Sequence, residues 1–400
     1  MKIRAGVFFG GQSVEHEVSV ISGMQAIAAM DKEKYEVIPV YVAKDGAFWT
    51  GAHLADLESY RDIPAALARA TEVLLAREGN DVVLLPRRPR RFRREQPQVL
   101  DVAVPVFHGT GGEDGVMQAH FERLGLPYAG CDVCASAVGM DKYAMKALFK
   151  MAGVPCLHGV RLSKHEYFAA EERCLDRLER EIGYPLIVKP YNLGSSVGIG
   201  KARDRAALAA AIGEALLYSD AVLCERAVQH LREINCAVLG DDEEQRASVC
   251  EEPLNATDIL TYADKYQSGG GKGGAKGAKG SGAGMQSLSR RVPADLSPEL
   301  TAQAQAMAVA AFRAVNAAGV ARVDLLMDGE TQELWVNEIN TIPGSLSFYL
   351  WEPAGLSFPA LMDELVRLAL KRRRRRAALH RSFEGNLLAT AKLSGSKGKV

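Results

Sequence analysis

The sequence carries no net charge: Lys+Arg and Asp+Glu both total 49 in 400 residues. No global field therefore calls for nucleic acid or a membrane surface as partner. It has no apolar run approaching the ~18–20 residues that span a bilayer. Its first residues, MKIRAGVFFGG, hold no long apolar segment and no small-residue cleavage site, so no signal peptide is expected and a cytoplasmic location is. Disulfide scaffolding is also missing, because seven scattered cysteines, an odd number, read as reduced thiols. Cys131 and Cys134 form a lone CxxC with no second pair nearby, which argues against a metal or redox centre. Nowhere does G-x4-G-K-[ST] occur, so no P-loop is present. Gly10-Gly11 lacks the full G-x-G-x-x-G spacing of a dinucleotide site. What remains, 48% apolar and 24% charged, is an ordinary globular composition with length for two or three domains.

The apolar residues are patterned. Residues 3–9 read as a strand, 14–29 as a helix and 35–43 as a second strand. That order implies a parallel, doubly wound α/β sheet. Residues 101–107 make a third strand, running into the loop His108-Gly-Thr-Gly-Gly-Glu-Asp-Gly115. Ligands sit beyond the carboxyl ends of such strands, where Gly10-Gly11 and the 108–115 loop both lie. The arginine-rich run 87–94 is expected to be a solvated loop rather than an anion site. A helix is expected from 141 to about 152, two strands around a Gly/Ser loop at 186–201, and an alanine-rich helix at 204–217. Residues 322–327 and 333–340 read as a hairpin joined by Asp-Gly-Glu-Thr-Gln. Residues 268–284, SGGGKGGAKGAKGSGAG, cannot bury a core. A mobile loop is expected there, as a functional lid or a tolerated insertion. The basic run Arg372–Arg376 is expected to be a solvated helix end, dispensable for catalysis and followed by a weakly structured tail.

Three elements carry chemistry. Lys189 and Pro190 end a strand that runs into Gly194-Ser195-Ser196-Val197-Gly198. Glycines let backbone N–H groups converge on an anion, and Lys189 adds a point charge for phosphate. Alone this is a weak signal, since turns need glycine regardless. In the 322–340 hairpin, Arg322 shares a face with Asp324, and Glu338 with Asn340. Folding about 330–332 sets Asp324 opposite Glu338. Two such carboxylates would repel and raise one another's pKa. Magnesium resolves the conflict, because it takes oxygen ligands from one or two carboxylates plus substrate phosphates. Val323, Leu325, Val336 and Ile339 make the other face apolar. Finally, Glu225 follows the apolar run 221–224, with Glu233 beyond it. Acceptors at a strand end can read an adenine amine and ribose hydroxyls, although spacing alone fits two surface glutamates better.

The segments GGQSVEHEVSVISG, HGTGGEDGVMQ, MDK, IVKPYNLGSSVGIGK, ERAVQHLREINCAVLG, ADKY and RVDLLMDGETQELWVNEINTIPGS stand in the order found in D-alanine–D-alanine ligases. On these motifs residues 3–370, apart from the basic and glycine-rich inserts, resemble that ATP-grasp family. The resemblance implies an N-terminal α/β domain (1–137), a central ATP-grasp subdomain (138–222), a C-terminal ATP-grasp domain (223–371) and a basic tail (372–400). ATP would lie between the two ATP-grasp parts. The implied activity is ATP-dependent ligation of two D-alanine molecules for peptidoglycan precursors, by a homodimer. Lys142 and Lys189 would bind ATP phosphates under a closing loop of Ser195, Ser196, Val197 and Gly198. Glu225 would contact the adenine amine, Glu233 the ribose and Lys265 the γ-phosphate. Asp324, Glu338 and Asn340 would hold two magnesium ions, with manganese a substitute. Arg322 would stabilise the transferring phosphoryl group and, with the Gly344 N–H, the oxyanion. Glu15 would pair with the first D-alanine's ammonium and link to Ser195 and Tyr266. His108 would lie on the same substrate side, or simply cap its loop.

Two places depart from the family pattern. The family has a serine a few residues after Pro-Gly that binds the second substrate's carboxylate. Here Pro343-Gly344-Ser-Leu-Ser347-Phe-Tyr349-Leu350 puts Tyr349 at that offset, leaving Ser347, Tyr349 and Leu350 as candidates. The short loop after the Lys-Tyr pair is replaced by the glycine-rich stretch. The retained Lys265-Tyr266 implies an amine nucleophile, D-alanine ahead of D-serine. A D-alanine–D-serine or D-alanine–D-lactate ligase is the alternative. An NAD-dependent oxidoreductase, or a binding module built on the basic runs, leaves the paired acids unexplained.

Overall fold

The computed structural model describes residues 2–88, 96–194, 197–254, 290–380 and 385. Ser195, Ser196, Lys265, Tyr266, the stretch 268–284 and most of the run 87–94 lie outside the described residues. Strand β1 (Ile3–Gly10) pairs in parallel with β2 (Tyr35–Val42) across the helix His16–Ala29. β7 (Val102–Pro105) joins the other edge of β1, also in parallel. These strands are buried along most of their length, as strands covered on both faces must be. The sequence pattern anticipates this parallel centre. It does not anticipate the antiparallel extension through β3 (Phe48–Thr50), β4 (Thr71–Glu78), β5 (Asp81–Pro86) and β6 (Gln98–Leu100). The result is a seven-stranded sheet in the order β6-β5-β4-β3-β2-β1-β7. The β4–β5 hairpin turns on Gly79-Asn80, a two-residue connection that the composition of the segment concealed.

The second sheet contains β8 (Gly159–Ser163), β9 (Leu186–Pro190), β10 (Gly200–Ala202) and β11 (Ala221–Arg226), in the antiparallel order β10-β9-β11-β8. Helices Glu171–Glu181 and Arg205–Ala215 close its apolar face through Leu175, Leu178, Leu208 and Ile212. The third sheet runs β14-β13-β12-β15-β16. Its strands are β12 (Leu231–Gly240), β13 (Gln245–Pro253), β14 (Arg290–Arg291), β15 (Gly319–Asp328) and β16 (Leu334–Asn340). Helix Pro298–Ala314 buries Ala304, Met307, Ala308, Ala311 and Phe312 against it, an i, i+3, i+4, i+7 stripe. Helix Lys142–Met151 adds Met145 and Phe149 to the same core, which fixes where Lys142 projects.

The C-terminal helix corrects one expectation. It runs Phe358–Ala377, through the whole basic run, and packs Leu361, Met362 and Leu365 against Val7 and Val104 of the first sheet's core. Arg373, Arg374 and Arg375 are exposed, as a solvated helix end would be, but Arg372 is half-buried. It donates to the carbonyls of Gly130 (2.7 Å) and Tyr128 (2.6 Å) and lies 4.3 Å from the Tyr128 ring centroid. Arg375 pairs with Asp242 at 2.6 Å, and Lys371 with Asp241 at 2.6 Å. Cations at a helix C-terminus are favoured by the dipole. Here they also tie that end to the 125–130 segment and to the β12–β13 turn.

Candidate active site

The second and third sheets share a cavity of about 430 Å³. Its floor is a polar row across the third sheet, because Asn235 pairs in register with Asp324 and Asp324 with Glu338; Glu251 continues the row beyond Asn235, outside the cavity lining. The expected pairing of Asp324 with Glu338 is therefore present. Arg322 grips Asp324 with both arms of its fork, Nε to Oδ1 at 2.6 Å and Nη2 to Oδ2 at 2.8 Å. Burial works against the Arg322 cation, but Asp324 outweighs it and holds the guanidinium pKa above its ordinary value. Asn340 donates to Asp324 Oδ2 at 3.0 Å. Lys142 reaches Glu338 Oε2 at 3.0 Å and the Leu193 carbonyl at 2.9 Å.

A bulge shapes this floor. Asp324 faces Glu338, yet Leu325 faces Val336, so Asn337 is an extra residue in β16. Consecutive Asn337 and Glu338 both line the cavity, while Val336 and Ile339 both enter the core, 0% and 2% exposed. Strict alternation cannot place 336 and 339 on one face, so their spacing is a signal for the bulge. Asn337, which no sequence motif singles out, accepts from Lys189 Nζ at 3.0 Å.

The opposite wall holds Glu225, 1% exposed, between Lys189 (2.5 Å) and Lys146 (2.6 Å). Burial pushes the carboxyl up; the two ammoniums more than offset that and hold it below the usual carboxylate range. Burial likewise lowers the Lys146 pKa. The motifs do not name Lys146, although it lies one helical turn beyond Lys142 on the same face. Glu233 lines the same cavity. Gly198, on the strand side of the Gly/Ser loop, takes φ +71°.

Glu15 sits where two loops meet. A Cβ built on Gly109 would lie 2.9 Å from Glu15 Oε2, and one on Gly194 3.2 Å, so glycine at both admits the carboxylate. Glu113, another residue that the motifs leave without a role, lies half-buried beside it and accepts from the Ile342 and Gly109 N–H groups at 3.0 and 3.2 Å. Burial, with the Glu15 charge, pushes its carboxyl up to about 7. His108 has both ring nitrogens engaged, Nδ1 with the Ile342 carbonyl (3.0 Å) and Nε2 with Ser22 Oγ (2.9 Å). Burial holds it neutral, its pKa lowered to about 4. That geometry makes His108 a tie between the first sheet and the turn after β16.

In that turn Ser345, Leu346 and Ser347 all take φ near the left-handed region, 52°, 51° and 51°. Such strain persists only where the surroundings over-determine it. Ser22 Oγ accepts the Ser345 N–H at 3.0 Å, and Gly344 opens the turn. Ser347 is wholly buried, and its Oγ has no hydrogen-bond partner among the described residues. Tyr349 donates its hydroxyl to Glu251 Oε1 at 2.9 Å. Leu350 is a core side chain, so only its backbone could meet a ligand.

Among the described residues no three His, Cys, Asp or Glu side chains form a metal cage. Asp324 and Glu338 with the Asn340 amide make an open oxygen set, which fits magnesium, an ion that keeps waters and substrate phosphates as its other ligands.

Residues 4–131 match the D-ala D-ala ligase N-terminus and residues 148–367 the D-ala D-ala ligase C-terminus. The chain is 36% identical over 395 residues to the D-alanine–D-alanine ligase of Caldicellulosiruptor bescii, covering 96% of this chain and 100% of that one. The chain belongs to the D-alanine–D-alanine ligase family. Like other members of that family it is an ATP-dependent ligase. It is 38% identical over 379 residues to the family member of a Synechococcus species, covering 92% and 98% of the two chains. The ligase structure from Coxiella burnetii superposes with a TM-score of 0.75 at 29% identity, covering 94% and 96%. The VanG D-Ala:D-Ser ligase of Enterococcus faecalis gives 0.75 at 27%, covering 92% and 100%.

Proposed function

We propose that the enzyme joins two D-alanine molecules into D-alanyl-D-alanine, a peptidoglycan precursor, through an acyl phosphate. One observation carries this reading: Lys142, Lys189, Asp324 and Glu338 converge in a single cavity. A carboxylate is a poor acyl donor because its leaving oxygen is too basic. ATP first phosphorylates the carboxylate of one D-alanine, whose ammonium pairs with Glu15. The amine of the second then attacks the carbonyl carbon; the C–N bond forms, the C–O bond to phosphate breaks and phosphate leaves.

The protein positions these groups and neutralises charge. Lys142, Lys189 and Lys265 hold phosphates, with Ser195–Gly198 closing over them and Tyr266 fastening the loop. Glu225 has about four acceptor sites, enough for two lysines and an adenine amine. Glu233 takes the ribose. Arg322, half-buried and permanently charged, stabilises the phosphoryl group in transfer and, with the Gly344 N–H, the oxyanion. Magnesium held by Asp324, Glu338 and Asn340 would neutralise phosphate charge. We assign two such ions, replaceable by manganese, and a cytoplasmic homodimer, all by family likeness.

Phosphate release from ATP and magnesium should require D-alanine, with the dipeptide as product. ATP turnover indifferent to D-alanine would reject the reading. Likeness to the D-Ala:D-Ser ligase supports D-serine as the second-choice amine. With D-lactate as competitor at neutral pH, the dipeptide should form and no depsipeptide; dominant depsipeptide would reject the amine assignment.

A further inference from the structure

The two-residue strand β14 places Arg290 beside the strained turn, and no family motif names it. Its guanidinium lies 4.3 Å from the Tyr349 ring centroid. Its Nη1 lies 3.2 Å from Glu251 Oε2, and the side chain is only 13% exposed. Its Nη2 is buried and has no hydrogen-bond partner among the described residues. Buried donors left without acceptors are destabilising, the more so on a charged group. An acceptor that arrives with a ligand would complete this one.

The neighbours decide what that acceptor is. Tyr349 has one hydroxyl proton, and Glu251 Oε1 holds it at 2.9 Å. A substrate carboxylate needs a donor, so the phenol cannot serve while that bond stands. Arg322 spends its fork on Asp324. Glu251 Oε1 also accepts from Asn235 at 3.0 Å. Among the described residues, Arg290 Nη2 and Ser347 Oγ are the buried side-chain donors near this turn that have no hydrogen-bond partner.

On the reading that the enzyme ligates D-alanine to a second amino acid, we propose that Arg290 receives the carboxylate of that second substrate, with Ser347 Oγ as the neighbouring donor. One arm of the fork is held by Glu251, which orients the other toward the ligand. A guanidinium so placed selects a carboxylate over a neutral amide, because the amide brings an N–H pair to a site built of donors.

The test separates the half-reactions in the full-length chain. Hydroxylamine traps the acyl phosphate as D-alanyl hydroxamate and so reads the first site alone. Arg290→Met should keep hydroxamate formation near wild type while the second-substrate KM for D-alanine rises ~30-fold, the scale of one charge-assisted hydrogen bond. Selectivity for D-alanine over D-alaninamide as nucleophile should fall by a similar factor. Arg290→Lys, which keeps a point charge, should recover most of both, and it carries the test if the Met variant fails to fold. An unchanged KM in both variants overturns the proposal. So does a rise shared equally by D-alanine and D-alaninamide, which would make Arg290 only a support for Tyr349. Wild-type protein that forms no D-alanine-dependent hydroxamate refutes the ligase reading itself, and the Arg290 assignment with it.

Discussion

Two buried carboxylates, Glu225 on β11 and Glu251 on β13, are 1% and 3% exposed, yet they are held in different ways. Glu225 sits between two ammoniums, one from β9 and one from the helix Lys142–Met151. Glu251 is held by an amide, a phenol and one guanidinium, drawn from β12, β14 and the segment after β16. A buried ion pair is poor evidence of net stability, but removing one partner strands a charge. The Glu225 site is thus closed and charge-dense, suited to a polyphosphate nearby. Beside Glu251, Arg290 Nη2 has no acceptor among the described residues, which suits a small anion. Motifs name part of the first site, and reach the second only through Tyr349.

The largest effect should come from the residue between the two sites. Asp324→Asn should lower turnover by ~10³-fold or more, about 4 kcal/mol of barrier, without unfolding the protein. Wild-type kcat at ordinary magnesium would remove Asp324 from the metal set. Lys146→Met leaves Glu225 half-compensated and should lower unfolding free energy by ~3 kcal/mol, read from denaturant midpoints. Tyr349→Phe deprives Glu251 of one donor and should lower it by only ~1 kcal/mol. Equal losses would erase the contrast between the sites.

The substrate side also carries a pH signature. Glu113 has a folded pKa of about 7, raised, so the folded state holds a proton that the unfolded chain has released above about 4.5. Its contribution is full below that value and is lost as pH rises through 7. His108 has a folded pKa of about 4, lowered, so the unfolded chain takes up a proton below 6.5 that the folded state refuses. Its contribution is present above 6.5 and lost as pH falls toward 4. Between about 4.5 and 6.5 the two oppose, each with a limiting slope of ~1.4 kcal/mol per pH unit. Stability of Glu113→Gln should therefore rise with pH across that window, and that of His108→Gln should fall. Parallel profiles would contradict the burial of one or both. The smallest effects should be at the helix end. Arg372→Ala, which loses two carbonyl contacts, should cost ~1 kcal/mol, while exposed Arg375→Ala should leave the thermal midpoint unchanged. Turnover should be unaffected in both.

Legibility follows the range over which each signal acts. Alternation places Asp324 opposite Glu338, because a hairpin pairs residues close in the chain. The same alternation read too rigidly hides Asn337, although Val336 and Ile339 at i, i+3 mark the bulge. Lys146 is legible as an i+4 neighbour of Lys142, yet its spacing alone assigns it no partner. Arg372 misleads, because a charge run on a helix end looks solvated until the carbonyls of Tyr128 and Gly130 are seen beside it.

The parallel centre of the first sheet, the hairpin of acids, Lys189 at the end of its strand and the ligase family are all legible in the chain alone. These rest on local periodicity and on residue types that few other chemistries require. The three-dimensional packing alone settles that Glu225 is gripped by two lysines, that His108 is a neutral tie between the first sheet and the turn after β16, and that the Tyr349 proton is spent on Glu251 while Arg290 Nη2 has no partner among the described residues. Those outcomes depend on which donors and acceptors meet across strands distant in sequence, and on how much water is excluded where they meet. Spacing along a chain carries neither quantity.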